Sequence, residues 1–279
     1  MQCLKCGAEN TESATFCGLC MTHFEIPVVV AVAASAADDG SPASSASSAT
    51  AAMSGAMPGR AARALIIEAE GHMFAREMAA AEPLLRAALD TYAAGGIERG
   101  PELETALNNL GSVLDDLGRH DESAEFYQRC LNLVEQRMGP HSPALLSHLE
   151  NLGNPLLQSE RWSDALYVFD RAVVIAGPKR SGIYSGIKKA EALMQLNRFA
   201  EAEAAIVAAD TIAVAEYGER GEPRCTVLNQ WYWLWRRQGR RADAEHVLRL
   251  AIDIELNAPK RDEAIYGMLV DNLNKLLAE

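Results

Sequence analysis

The chain has 279 residues, of which 49% are apolar and 23% charged, and its formal net charge at pH 7 is −12. This composition is typical of a soluble globular protein of one or two domains and excludes a mainly disordered or membrane-spanning chain. The excess of acidic groups also disfavours general binding to phosphate backbones, which requires lysine and arginine. Only 6% of the residues are aromatic, which favours closely packed helices, so we predict an all-α fold.

The first 25 residues hold four of the six cysteines, arranged in two C-x-x-C pairs. Cys3 and Cys6 form the first pair, and Cys17 and Cys20 form the second. Four thiolates at this spacing are typical of one tetrahedral zinc site. A segment this short has no core of its own, so metal binding would supply its folding free energy. We therefore predict a zinc ribbon over residues 1–25 that holds one structural Zn²⁺ and has no catalytic role.

This head resembles the short zinc ribbons found at the starts of many prokaryotic proteins, in its C-x-x-C-G sequence and in the aromatic Phe16 before the second pair. Redox or disulfide chemistry is the alternative, which is disfavoured because cytosolic thiols stay reduced and no βαβ pattern surrounds either pair. The start of the chain lacks the basic and apolar segments of a signal peptide, and no apolar run reaches the roughly 20 residues of a membrane-spanning helix. We expect a cytoplasmic protein without membrane contact.

The next segment, residues 26–60, is rich in alanine and serine. Between residues 33 and 54 the chain has nine Ala and seven Ser, and Met53 is the only large apolar side chain there. Such a sequence cannot bury enough apolar surface to offset the entropy lost on ordering. We predict a flexible linker over residues 26–60, between the zinc ribbon and a helical domain over residues 61–279.

The domain over residues 61–279 has an internal repeat. Five times, a small residue is followed four positions later by an apolar residue and three positions after that by a second small residue, with steps of 42, 42, 37 and 42 residues between equivalent positions. A turn and a segment of helical period precede each set, so each unit is predicted to be two antiparallel helices. The sets are Ala81/Leu85/Ala88, Ser123/Tyr127/Cys130, Ala165/Phe169/Ala172, Ala202/Ile206/Ala209 and Ala244/Leu248/Ala251.

These features resemble the tetratricopeptide repeat, in the 42-residue form found in kinesin light chains and in many bacterial repeat proteins. Leu110, Gly111, Gly118, Tyr127 and Cys130 stand at its signature positions. The resemblance implies an all-α, right-handed superhelical solenoid of helix pairs, with five repeats and a capping helix over residues 61–279.

Three residues depart from the pattern of that family. Glu160 and Asn197 replace the glycine of the turn between the two helices of a repeat, and Pro155 falls inside the first helix of the third repeat. Because proline removes a backbone donor, we expect it to kink that helix or to shift its start.

In this fold the first helices line a concave face, so the resemblance also implies which side chains face the groove. Asn109, Asn151 and Asn272 recur at one equivalent position, and asparagine offers both a donor and an acceptor although it is a poor helix former. Such amides are suited to binding the backbone of an extended peptide; the alternative is that they only join adjacent first helices. The residues nominated for the groove are Asn109, Ser112, Asn151, Asn154, Lys188, Glu191, Gln230, Trp233, Asn272 and Lys275.

Three tryptophans, Trp231, Trp233 and Trp235, alternate as they would in a strand, but the register of the repeat places them on a helix. We predict that the outer two pack in the core and that Trp233 faces the groove. Together with Arg236 and Arg237, Trp233 would suit an acidic or aromatic partner segment. The alternative is that these arginines lie in a solvated turn.

No sequence motif of a catalytic site is present, neither a Walker loop nor a G-x-G-x-x-G, H-E-x-x-H or G-x-S-x-G sequence. We therefore predict a non-enzymatic adaptor that binds a peptide or protein segment in the groove, with the zinc ribbon as a second docking module. The alternative is a nucleic-acid-associated factor that the repeats recruit to a transcription or translation assembly. Against it, Lys5 is the only basic residue before residue 60, so nucleic acid is not the expected partner.

Overall fold

A computed structural model describes residues 47–278, with side chains from residue 58 onward. Within this range the regular secondary structure is entirely helical, which confirms the all-α prediction. The chain divides into two units, Met1–Ala56 and Met57–Glu279, and apart from the start of the first helix the described helices belong to the second. The predicted zinc ribbon and the first part of the predicted linker lie outside the described residues.

The described helices form five pairs and a final single helix. In each pair we call the odd-numbered member the first helix and the even-numbered member the second helix. None of these helices is both long enough and apolar enough to cross a membrane. The bounds are α1 (Ser47–Phe74), α2 (Met78–Ala94), α3 (Pro101–Asp116), α4 (His120–Met138), α5 (Leu145–Gln158), α6 (Trp162–Ala176), α7 (Gly182–Gln195), α8 (Phe199–Tyr217), α9 (Pro223–Arg237), α10 (Arg241–Leu256) and α11 (Glu263–Ala278).

Helix α1 begins at Ser47, inside the segment 26–60 that composition predicts to be a linker. Six alanines lie between residues 47 and 62, and alanine has the highest helix propensity of all residues. A run that is too poor in apolar bulk to form a core can therefore still extend a helix that is anchored further along the chain. The buried side chains Ala62, Ile66 and Ala69 provide that anchor.

The turn inside each helix pair has the same backbone geometry in all five repeats. One residue takes a positive φ, and the N–H of the next residue donates to the carbonyl five positions earlier, as from Arg161 to Leu156 at 2.8 Å. This is the Schellman motif, which commonly ends a helix at a glycine. The residues with positive φ are Arg76 (62°), Gly118 (75°), Glu160 (58°), Asn197 (57°) and Gly239 (71°).

The small–bulky–small sets form the centre of the stack. None of their fifteen residues is more than 6% exposed, as the period predicted. The bulky member packs closely on the first helix of its own repeat. A Cβ added to Gly111 would lie 2.9 Å from the ring of Tyr127, and one added to Gly153 would overlap the ring of Phe169.

Pro155 lies within the last turns of α5, which runs as one helix from Leu145 to Gln158. The proline therefore lies inside the helix and marks neither its start nor its end. The carbonyl of Pro155 still accepts the backbone N–H of Ser159, at 2.9 Å. Proline removes only its own backbone N–H donor from the helix, and the third repeat keeps both of its helices.

Successive first helices contact one another directly: α5 with α7, α7 with α9, and α9 with α11. Among the described helices, successive second helices do not pack together to the same extent. In a curved stack the elements on the inside of the bend are the ones that come closest. The first helices therefore lie on the inner face, which is where the predicted groove residues belong.

Candidate functional site

The inner face carries amides that join adjacent first helices. The Nδ2 of Asn151 on α5 donates to the Oδ1 of Asn108 on α3, at 3.0 Å. The Nδ2 of Asn272 on α11 donates in the same way to Asn229 on α9, at 2.9 Å. Asn109 donates instead to Glu70 on α1, at 3.1 Å. These bonds are those of the structural alternative, in which the recurring asparagines order the stack.

Whether an amide pair forms depends on the residue that the preceding first helix places opposite it. Asn108 and Asn229 occupy one equivalent position, at which α7 carries Ile187. On α9, Gln230 stands at the position equivalent to Asn151. Its buried Oε1 has no hydrogen-bond partner in the described part of the chain. The amide pairs therefore join α3 to α5 and α9 to α11, and the row is interrupted at the fourth repeat, since α5 carries Glu150 and α7 carries Ile187 at the position of Asn108.

A cluster of polar and aromatic side chains lies where α5 meets α7. The hydroxyl of Tyr184 donates to the Oδ1 of Asn154, at 2.7 Å. The Nζ of Lys188 lies 5.9 Å from the centre of the Tyr184 ring and pairs with Glu191 at 2.9 Å. We call Asn154, Tyr184, Lys188 and Glu191 the α5–α7 patch. It contains three predicted groove residues, together with one that the sequence did not nominate.

Tyr184 is 41% exposed, although its hydroxyl donates to Asn154 and the Nζ of Lys188 lies over its ring. Partial burial raises the pKa of its phenol, so the hydroxyl stays protonated and remains a donor to Asn154. The signal that could have identified it is its position four residues before Lys188, one helical turn away on the same face.

A buried hydrogen bond joins the two helices that carry the α5–α7 patch. The hydroxyl of Ser185 on α7 donates to the Oε1 of Glu150 on α5, at 2.7 Å, and Ser185 is fully buried. Desolvation raises the pKa of Glu150, while the bond from Ser185 opposes that rise. This bond fixes the spacing of the two helices that carry the patch.

The three tryptophans of α9 are partly buried and all pack against the apolar core of the last repeat. The rings of Trp231 and Trp235 lie with their centres 4.8 Å apart and their planes tilted by 33°. Trp233 shares in this packing and has the guanidinium of Arg236 at 5.6 Å from its ring centre. Its indole is therefore held in place between the core and an arginine.

Arg237 lies apart from that pair. Its guanidinium donates to the carbonyl of Met194 and to the side chain of Gln195, each at 2.7 Å. Both acceptors belong to the C-terminal end of α7, where a positive charge is favoured by the helix dipole.

Two other residues predicted for the groove lie on α3 and α11. Ser112 is half-buried beside Tyr127, to which it hydrogen-bonds, and Lys275 is exposed near the end of α11.

The buried thiol of Cys130, expected from its small position in the repeat, lies beside a histidine that the sequence did not indicate. The Sγ of Cys130 donates to the carbonyl of Glu104, at 3.3 Å, and lies 3.6 Å from the Nδ1 of His148. Burial raises the pKa of Cys130 to about 12, so the thiol is uncharged and unreactive at neutral pH.

Within residues 47–278, no group of three or more His, Cys, Asp or Glu side chains is placed to hold a metal ion. The predicted zinc ligands Cys3, Cys6, Cys17 and Cys20 lie outside the described residues.

The comparisons with known proteins concern this helical domain. The family model described as tetratricopeptide repeat matches residues 102–176, which span α3 to α6. No curated protein matches the chain.

Several solved structures share the fold at low sequence identity. The nearly identical tetratricopeptide-like repeats of a putative kinesin light chain from Podospora anserina match with a TM-score of 0.62 and 15% identity, over 73% of this chain and 98% of that one. BtubC from P. vanneervenii matches with a TM-score of 0.54 and 17% identity, over 82% and 83%. The apo form of RapI matches with a TM-score of 0.59 and 13% identity, over 77% and 60%. The chain thus has the fold of a tetratricopeptide repeat solenoid, and residues 102–176 match that family in sequence as well.

Proposed function

We propose that the protein is a non-enzymatic interaction scaffold that binds a peptide or protein segment on the inner face of its solenoid. The observation that carries this proposal is Tyr184, an aromatic side chain that is 41% exposed on a first helix. Asn154 and Lys188 already fix its orientation. An aromatic ring held in this way loses little entropy on binding, and such rings are common anchors of protein interfaces. The repeat fold supports an interaction role.

The α5–α7 patch also suggests how a segment would be held. The exposed part of the Tyr184 ring offers apolar contact area, while Asn154, Lys188 and Glu191 surround it with donors and acceptors. An extended segment could place one apolar side chain on the ring and pair its backbone with the amide of Asn154. Binding of this kind needs no rearrangement of the helices, because Ser185 and Glu150 already fix their spacing.

The test compares Tyr184→Ala with a matched control, Tyr217→Ala. Tyr217 ends the second helix α8 and also has a cation over its ring, Arg180 at 5.4 Å from the ring centre. Proteins crosslinked to the full chain would be identified by mass spectrometry. The contacting segment would then be synthesised and titrated by calorimetry. We expect Tyr184→Ala to weaken binding by about tenfold or more and Tyr217→Ala to leave it unchanged.

Two outcomes would contradict the proposal. If Tyr184→Ala binds the segment as tightly as the unmodified protein does, the inner face is not the binding site. If both variants lose binding equally, the effect is one of general stability and not of a contact with Tyr184.

We further propose that Cys3, Cys6, Cys17 and Cys20 hold one structural Zn²⁺ and that the resulting ribbon is a second docking module. The spacing of the two pairs supports four-sulfur coordination, which leaves no open position for a substrate. We propose that the protein acts in the cytoplasm, where thiols remain reduced and available to the metal.

A further inference from the structure

Two exposed apolar side chains lie at the α1 end of the inner face. Phe74 is 93% exposed and Ile67 is 59% exposed, and they are about two helical turns apart on one face of α1. Both stand at positions that carry polar residues in every later first helix. The residues equivalent to Ile67 are Asn109, Asn151, Lys188, Gln230 and Asn272, and those equivalent to Phe74 in the next four repeats are Asp116, Gln158, Gln195 and Arg237.

Bonds between side chains show that these positions form continuous rows across the first helices. Glu70, one turn before Phe74 on α1, accepts a hydrogen bond from the Nδ2 of Asn109 on α3, at 3.1 Å. In the row of Phe74 itself, Arg237 on α9 donates to Gln195 on α7, at 2.7 Å. The apolar end on α1 therefore belongs to the same inner face that carries the α5–α7 patch.

The surroundings of the exposed phenylalanine are acidic. Over residues 63–77 and 115–116 the chain has five acidic and two basic side chains, a net charge of −3. Arg76 offsets part of this charge by pairing with Asp116, at 3.5 Å, whereas the bond to Glu70 comes from a neutral amide. A basic side chain next to an apolar one is therefore complementary to this end of the inner face.

The distance between α1 and Tyr184 suits one extended segment. Three steps between first helices separate α7 from α1, and packed helices are about 8–10 Å apart, so the total is roughly 25–30 Å. An extended chain rises about 3.3 Å per residue, and about nine residues cover this distance. A segment of ordinary length therefore reaches both ends.

We propose that Ile67 and Phe74 form a second anchor for the segment that binds the α5–α7 patch. The segment is extended and carries two apolar side chains about nine positions apart. One packs on Tyr184. The other packs on Phe74 and has a lysine or arginine beside it, which faces Glu70. This proposal rests on the proposed function, because it specifies the chemistry of the segment bound there.

The probes for the test are synthetic peptides with two leucines, one of them next to a lysine, joined by serine and asparagine. The leucines lie nine positions apart in one peptide and four in the other, and each peptide is made in both sequence orders. Fluorescence anisotropy of the labelled peptides measures their affinity for the full chain. We expect the nine-position peptide to bind at least tenfold more tightly in one order, since the shorter peptide reaches only one anchor at a time.

Two variants of α1 test the contacts. Phe74→Ser should reduce the affinity of the nine-position peptide to that of the four-position peptide, whereas the matched control Val174→Ser, at a site 77% exposed on the second helix α6, should leave it unchanged. Glu70→Gln keeps an acceptor for Asn109 and should weaken binding about threefold. That loss should be absent for a peptide in which methionine replaces the lysine.

Equal affinity of the two spacings would overturn the proposal, as would an effect of Phe74→Ser no larger than that of Val174→Ser. Failure of both peptides to bind would overturn it as well. If Tyr184→Ala still weakens binding while Phe74→Ser does not, the α5–α7 patch is the whole site and the proposed function stands. If neither substitution changes the affinity of a bound peptide, both proposals fail.

Discussion

Three residues of the inter-helix turns, Arg76, Glu160 and Asn197, hold a backbone conformation that glycine adopts at the least cost. Glu160 and Asn197 have φ of 58° and 57°, in the left-handed region. This region costs an ordinary L-residue roughly 1–2 kcal/mol, whereas asparagine visits it more readily. The register of the repeat predicted both positions from the sequence, because a fixed period assigns the turn even where its glycine is absent.

We predict that Glu160→Gly raises the free energy of unfolding by about 0.5–1 kcal/mol, after allowance for the greater freedom of glycine in the unfolded chain. Asn197→Gly should have a smaller effect. Urea denaturation followed by circular dichroism measures both. The reverse substitution at the equivalent turn, Gly118→Glu, is the control and should destabilise the protein. A lower stability of Glu160→Gly would show that its side chain makes a contact worth more than the strain.

His148 should make the stability of the fold depend on pH. Burial beside Cys130 lowers the pKa of His148 below 6.5. Between its folded pKa and 6.5 the unfolded chain therefore binds more protons than the folded one, so stability falls as the pH drops through this window. Sequence could not have predicted this, because the contact joins the second helix of one repeat to the first helix of the next.

We expect His148→Gln to flatten the decline in the free energy of unfolding between about pH 7.5 and pH 5.5. Urea titrations at several pH values provide the measurement, and His246→Gln, at an exposed site, is the control that should leave the slope unchanged. Glu150 has a raised pKa and contributes with the opposite sign just above 4.5, so lower pH is avoided. An unchanged slope in His148→Gln would exclude this residue as the cause.

At the scale of the helices, the second, third and fourth repeats match the size of one residue in the first helix to that of another in the second. Gly111 and Gly153 face the rings of Tyr127 and Phe169. The equivalent position of the fourth repeat carries Ala190, and there the second helix provides the smaller Ile206. In these three repeats the match agrees with packing at interior density, whereas the fifth repeat places Tyr232 opposite Leu248.

Gly153→Ala should therefore destabilise the protein by about 1–3 kcal/mol through overpacking against Phe169, despite the better helix propensity of alanine. Combining it with Phe169→Leu should recover part of the loss. A double-mutant cycle from urea denaturation measures the coupling between the two sites. Additive effects of the two substitutions would show that the helices separate freely enough to accept the methyl group.

The helices also show where prediction from sequence ends. The small–bulky–small sets could be read from the period because close helix contact restricts residue size at fixed positions. The hydrogen-bond partner of Asn151 could not be predicted in this way, because the axial offset between α5 and α3 decides whether its amide reaches Asn108. An arginine also recurs immediately before most second helices, and its ion pair could have been predicted from the spacing. These arginines, Arg119, Arg161, Arg198 and Arg240, pair with the acids three residues later, Glu122, Asp164, Glu201 and Asp243, at 2.6–2.8 Å.

At the scale of the whole molecule, the helical domain is a linear stack in which each helix packs mainly on its neighbours in the chain. Stability in such a stack is approximately a sum of repeat and interface contributions. The effects predicted for the second, third and fourth repeats should therefore be largely local. The six cysteines fall into two groups. Cys130 and Cys225 are buried free thiols of the stack, and the other four belong to the first 25 residues.

This division leads to a prediction about metal content. The full chain, purified without added chelator, should contain one zinc ion per chain by mass spectrometry of the metal. Cys17→Ser/Cys20→Ser should lose it, because two sulfur ligands cannot complete a tetrahedral site. The matched variant Cys130→Ser/Cys225→Ser removes the same number of thiols and should keep the zinc, with some loss of stability because hydroxyls replace buried thiols. Zinc that persists in the first variant, or disappears only in the second, would locate the metal in the helical stack and contradict the zinc ribbon.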